Sequence, residues 1–151
     1  MLKKIVEGIS QKLNSEFGDD YKIYTETMKQ DFQKPCFFVH LINSKNTKQL
    51  GQRYSRENLF CIQYFPESDP NLPEASPKIG RYDMLDRLYL CMEHIEVDGN
   101  LQQGTGMHGE IADEVLHFFV NYNMIVKEFV APETLYEESM GDRVLDVRTR
   151  R

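Results

Sequence analysis

Along residues 115–129, VLHFFVNYNMIVKEF, apolar and polar positions alternate. Leu116, Phe118, Val120, Tyr122, Met124 and Val126 fall on one face, and His117, Asn121, Asn123 and Lys127 on the other. A period of two marks a β-strand with one buried face. The run is longer than the usual strand of about five or six residues. It predicts a strand that crosses the middle of a sheet or reaches beyond the body toward a partner. Nothing in it resembles a catalytic pattern.

The rest of the chain supplies elements for that strand to pack with. Leu2, Ile5, Val6, Ile9, Leu13 and Phe17 recur at helical spacing, with Lys3, Lys4, Glu7, Gln11, Lys12 and Asn14 opposite them. This predicts an amphipathic helix of about four turns, stopped by Gly18. Tyr21–Thr27 then alternates as a strand. Cys36–Asn43 (CFFVHLIN), after the break at Gln33-Lys34-Pro35, reads as a nearly continuous apolar strand. The polar stretch Ser44–Glu57 follows, and its second half leads into a strand running through Asn58–Phe65. The connections are too short for helical crossovers, which predicts a meander of three antiparallel strands.

Pro66, Pro70, Pro73 and Pro77 mark a loop, and Ser76-Pro77 reads as a helix start. Tyr82, Leu85, Leu88, Tyr89, Met92 and Ile95 form one face of that second helix, with Asp83 and Arg87 spaced to pair outside it. Asp98-Gly99 marks a turn. Leu101–Ile111 is expected to pair back onto the long strand through a turn at Ala112-Asp113-Glu114. The predicted order is α-β-β-β-α-β-β: one α+β domain, with a mainly antiparallel sheet and both helices on one face. The sheet side of its core is Leu116, Phe118, Val120, Tyr122 and Met124. The helix side is Ile5, Ile9, Leu13, Leu85, Leu88 and Met92. The apolar pattern decays from Pro132, which divides the chain into a domain over 1–131 and a C-terminal extension over 132–151. In the extension Tyr136, Met140 and Val144 share a helical face, and Val144 with Asp146 fits a short strand equally well.

A length of 151 residues matches a single domain. The net charge of −6 argues against a general nucleic-acid coat. One stretch runs against that balance: Lys45, Lys48, Arg53 and Arg56. It reads either as a solvated hairpin tip or as a surface that pairs electrostatically with acidic ground on a neighbouring copy or partner. Together with Tyr136, Met140 and Val144 it is the candidate interaction surface. Cys36, Cys61 and Cys91 lie in apolar contexts without disulfide or zinc spacing, and read as small buried hydrophobes in a reducing compartment. The N-terminus has charges where a signal peptide would have an apolar core, and no apolar run approaches the roughly 20 residues of a membrane span.

Chemistry is sparse. Gly104-Thr-Gly106-Met-His-Gly109 fits G-x-G-x-x-G, but that motif needs a strand before it and a helix after it to hold a pyrophosphate. Here a strand follows, so the glycines are expected to serve positive φ or close backbone approach. His40, His94, His108 and His117 lack metal-ligand spacing, although His40 and His117 are candidates to lie on neighbouring strands. Adjacent carboxylates at Asp19-Asp20 and Glu137-Glu138 read as solvated surface. No catalytic residue, cofactor or metal is expected.

Several phrases in a fixed order resemble the phage tail terminator family of prophages and phage-like elements in Gram-positive bacteria. They are IVEGISQKLNSEFGDDYKIYTE, PCFFVHLIN with LGQRYSRENLFCIQYFP, and IEVDGNLQQGTGM with VLHFFVNYNMIV, over roughly residues 2–130. The resemblance implies a small α+β structural protein, not an enzyme. It implies a hexameric ring on the last ring of the tail tube, stopping polymerisation and facing the neck or connector, and the sheath where the tail contracts. It implies assembly in the host cytoplasm and residence in a virion tail or bacteriocin-like particle, without membrane or sequence-specific nucleic acid. The rivals are another head–tail neck adaptor and a small nucleotide-binding protein using the glycine cluster at 104–109.

Overall fold

The computed structural model describes residues 1–25, 32–67, 79–130 and 143–149, with 128–130 and 143–149 described by their backbone. The chain forms α1 (Leu2–Phe17), β1 (Lys22–Tyr24), β2 (Cys36–Lys48), β3 (Arg53–Phe65) and α2 (Arg81–Cys91). It continues with β4 (His94–Val97), β5 (Asn100–Ala112), β6 (Val115–Tyr122), β7 (Met124–Val130) and β8 (Arg143–Thr149). The expected α+β order is present, with two further strands and the long strand divided in two. The strands make one sheet in the order β1-β2-β3-β6-β5-β4, with β7 also beside β3 and β8 beside β7.

β3 is the organising strand. Its C-terminal half pairs with β6, from Leu59↔Asn121 to Tyr64↔Leu116. Its N-terminal half pairs with β7, from Arg53↔Lys127 to Arg56↔Met124. The register is the same in both halves, so β6 and β7 are one path interrupted at Asn123. The alternation holds across the break: Leu116, Phe118, Val120, Tyr122, Met124 and Val126 are all buried on the same face. Asn58, fully buried, patches the interruption. Its Nδ2 donates to the Tyr122 carbonyl at 3.1 Å, and its Oδ1 accepts from Ser44 Oγ at 2.8 Å. A buried amide in a broken ladder needs such partners.

Both helices cover this face. α1 turns Ile5, Ile9 and Leu13 inward, and ends where Gly18 (φ 84°) donates its N–H to the Asn14 carbonyl. Gly8 of α1 lies against the Glu96 carbonyl of β4. α2 begins after Gly80, and the Ser76-Pro77 start lies outside the described residues. Its buried residues are Met84, Leu88 and Cys91, with Leu85 and Tyr89 packed partly buried beside them. Tyr82, expected inside, is 78% exposed. It is two residues from Met84, about 200° around the helix, so turning Met84 inward turns Tyr82 out. Ile95 is buried in β4 and not on the helix. Arg87 lies 4.7 Å over the Phe17 ring, tying the two helices together.

The meander expected at the start is corrected. β2 and β3 are antiparallel, but β1 runs parallel to β2, with Lys22↔Cys36 and Tyr24↔Phe38. β1 is only Lys22–Tyr24, about 10 Å long. Residues 25–35 can span that distance back to the start of β2 without a helix. Later, Asp98 and Gly99 (φ 53° and 78°) and Asp113 and Glu114 (φ 53° and 66°) make two-residue turns between β4 and β5 and between β5 and β6. Positive φ at both central residues matches the twist of antiparallel neighbours.

β5 leaves the main sheet half-way. Gly104–Ala112 pairs with β6, and Asn100–Gln103 pairs with β4. The place it vacates beside β7 is taken by β8, from Met124↔Thr149 to Val130↔Arg143. The far end of the C-terminal extension therefore adds a strand to the sheet.

Phe118, fully buried and edge-on to Tyr89 with ring centroids 5.6 Å apart, sits under α2. Phe118→Ala is expected to cost about 3–5 kcal/mol by opening a cavity. Urea unfolding checks this, and a loss below about 1 kcal/mol would contradict the packing described.

Candidate interaction surface

Beyond the helices, β2 and β3 continue as a ribbon. The pairing runs without a gap from Asn43↔Leu59 to Lys48↔Tyr54. The tip closes where Gln49 N–H donates to the Arg53 carbonyl at 2.7 Å, with Gly51 and Gln52 at φ 72° and 63°. All four predicted basic residues lie on this ribbon. On β3, Arg53 and Arg56 follow that strand's own alternation, while a register shift between Leu41 and Asn43 sets which way Lys45 and Lys48 point, because a one-residue bulge reverses the facing of the strand beyond it. Lys48 and Arg56 share the helix-side face with Asn46 and Tyr54. Lys45 and Arg53 share the other with Glu57, and Arg53 pairs in register with Lys127. Arg56 Nε donates to Asn46 Oδ1 at 3.3 Å. The ribbon therefore carries positive charge on both faces. It also carries apolar surface: Leu41, Ile42 and Leu50 are 38%, 52% and 93% exposed. Of the remaining candidates, Tyr136 and Met140 lie outside the described residues, and Val144 is on β8 in register with Phe129.

The sheet face away from the helices holds a small cluster of Cys36, Phe38 and Phe65, flanked by Tyr24, Phe32 and Val115. Beside it a hydrogen-bonded chain crosses three strands. His40 Nε2 donates to Gln63 Oε1 at 3.0 Å, and Gln63 Nε2 donates to His117 Nδ1 at 3.2 Å. The two histidines are not on adjacent strands; β3 lies between them. Neither this chain nor Asn58 was visible in the sequence, since isolated polar residues in strands carry no periodic signal.

This face also tests the chemical readings. Cys61 is in register with His40, the proximity a Cys–His nucleophile needs. Yet the His40 bond goes to Gln63, and burial pushes the Cys61 thiol up to about 11, keeping it protonated at neutral pH. A reactive cysteine needs the opposite shift. Burial likewise raises Cys36 to about 11 and Cys91 to about 12. No group of histidines, cysteines and carboxylates suited to a metal occurs among the described residues. The glycine cluster lies within β5 and opens no helix. A side chain at Gly104 would meet the Met92 carbonyl, and one at Gly109 would meet Leu85 of α2. Gly106, at φ 59°, lies in the β5–β6 register shift between Thr105 and His108. These glycines serve strand and helix packing, as expected.

A sequence model of the phage tail terminator protein family matches residues 4–132. That interval runs from α1 to the end of β7, and the chain belongs to this family. It is thus a phage tail protein of a structural family, with the fold and the ribbon just described. Comparison with curated proteins finds no match.

Two outcomes test the site chemistry. Gly104→Ala is expected to lower the melting temperature, while NAD leaves it unchanged in the parent protein. A stabilisation near 2.7 kcal/mol, expected for a ligand at about 100 times its dissociation constant, would restore the nucleotide reading. The raised thiols give the second. Their folded pKa values lie above the ordinary 9.0, so their contribution is fully present below pH 9 and is lost from there to about 11 to 12. Denaturation across that range checks this, and native thiols should react with iodoacetamide far more slowly than unfolded ones.

Proposed function

We propose that the protein caps the phage tail tube as a ring of identical subunits, six in number. It stops tube polymerisation and joins the tube to the neck or connector protein, and in a contractile tail it also meets the sheath. It acts structurally and not as an enzyme, and assembles in the host cytoplasm into a virion tail or phage-like particle. The observation that carries this reading is the family match across the whole folded body, residues 4–132. The ribbon supports it, since a long strand pair with exposed charge and apolar tips on a well-packed body suits subunit contact. A cyclic ring uses heterologous contacts, in which two different patches meet. The extension over 132–151, whose far end pairs with β7 of its own chain as β8, adds surface on which the adjacent subunit or the neck docks.

Purified tube protein polymerised with and without this chain tests the reading in electron micrographs. Tubes of uniform, capped length are expected with it, and overlong tubes without it. Tubes that ignore the protein would contradict termination, and capture of the connector alone would make it another neck adaptor. Deleting residues 134–151 removes β8 and is expected to lower the melting temperature while leaving the body over 1–131 folded, and to weaken ring formation or connector attachment. Loss of folding in that variant would place the extension in the core instead.

A further inference from the structure

Two groups of exposed apolar and charged side chains lie at opposite ends of the sheet; Leu90, near the end of α2, and Leu101, at the start of β5, are exposed apart from both. At one end is the β2–β3 ribbon with Lys45, Lys48, Arg53 and Arg56 around Ile42 and Leu50. At the other are the β5–β6 turn and the start of α2, which Arg81 ties together by donating from Nε to the Glu114 carbonyl at 2.6 Å. This second end exposes Asp83, Asp86, Glu110, Asp113 and Glu114. Its own apolar residues are exposed too: Tyr82 by 78% and Ile111 by 44%. They lie on one flank, because Leu85 packs over Gly109, and Tyr82 and Ile111 are one helical turn and one pleat further toward the turn. Among the described residues nearby, Arg81 donates to the Glu114 backbone carbonyl and Arg87 lies over the Phe17 ring.

These two ends cannot meet within one chain. β3 extends from Arg53 at the ribbon to Tyr64, which pairs with Leu116 beside the acidic turn. At about 3.4 Å per residue the separation is roughly 35–40 Å. The same two features occur on every copy, and each has what the other lacks. One is apolar with a basic rim, and the other is apolar with an acidic rim.

We propose that the basic ribbon of one copy docks on the acidic end of the next, over Tyr82 and Ile111. The inference rests on the ring reading and assigns its two faces. A contact between unlike patches is head-to-tail; it closes as a ring when its rotation permits and runs on as a filament when it does not. Opposed charge rims fix the register of such a contact and reject the like-to-like alternative.

Charge reversal tests the pairing in the full-length chain. The ribbon variant is Lys48→Glu/Arg53→Glu/Arg56→Glu, and the acidic-end variant is Asp83→Lys/Asp86→Lys/Glu114→Lys. Lysine at Glu114 keeps the positive φ already borne there by a non-glycine residue. Analytical ultracentrifugation is expected to show that each variant alone assembles at least ~100-fold more weakly than the parent. Circular dichroism checks that both still fold. An equimolar mixture is expected to recover assembly, because each reversed patch then meets its complement. The double variant carrying both sets should also assemble by itself. Parent-like assembly of either folded variant, or a mixture that stays dissociated, overturns the pairing and leaves the ring reading intact. Failure of the parent chain to assemble at any concentration also overturns it, and tube capping in the preceding experiment then judges termination separately. A variant that does not fold is replaced by Lys48→Gln/Arg53→Gln with Asp86→Asn, for which weaker assembly and a smaller salt dependence are expected. Unchanged assembly and salt dependence in that set would again overturn the pairing.

Discussion

The structure depends on the unbroken pairing of β3 with the path formed by β6 and β7. One face of that path, from Leu116 to Val126, lies in the core that both helices close, α2 over β6 and α1 against β4 and β2. Because the side-chain period is two, a slip of a single residue would send all six of these residues to the opposite face. The register is held from both sides. Tyr122 sends its hydroxyl to the Met92 carbonyl at 2.7 Å, and Tyr64 sends its own to the Ile79 carbonyl at 2.6 Å. Burial raises the pKa of both phenols strongly, so each remains a donor under any ordinary condition. Asn58 secures the interruption between them, and with it the continuity of the ladder into the ribbon.

What this pairing leaves outside the body is the ribbon. β3 belongs to the core along one half and to the ribbon along the other. The ribbon is therefore not an appended loop; it inherits its direction from the strand beneath the helices. The spacing of three within each strand puts bases on both faces of the ribbon, and the bulge near Ile42 decides which lysine shares a face with which arginine. The turn end has the converse character, with carboxylates around Tyr82 and Ile111.

Much of this was legible in the chain because apolar periodicity reports burial directly. The alternation from Leu116 to Val126 and the spacing of Ile5, Ile9 and Leu13 each identified a buried face. The basic stretch was visible from charge alone. Periodicity says which face is buried but not which strand is the neighbour, so the parallel partner of β1 was missed. β4 was too short to show a period, and Ile95 was absorbed into the preceding helical pattern. Tyr82 misled because an aromatic at helical spacing reads as core. The division of Lys45 and Arg53 from Lys48 and Arg56 depended on a one-residue bulge with no distinctive sequence of its own. Asn58 and the His40–Gln63–His117 chain acquire meaning only once three strands are side by side.

The seating of α1 has a consequence for the order in which the molecule can form. Its Gly8 lies against the carbonyl of Glu96, and its inner face packs with Ile95 and Val97 in the same core. The helix emerges first during synthesis, yet the strand it rests on is made some ninety residues later. Until then Ile5, Ile9 and Leu13 have only part of their native cover, from β2. Contacts of such long sequence separation slow folding, and they leave apolar surface open to other chains meanwhile. The β4–β5 hairpin is thus the step that ends this exposure, and its two-residue turn at Asp98-Gly99 brings the strand pair together locally.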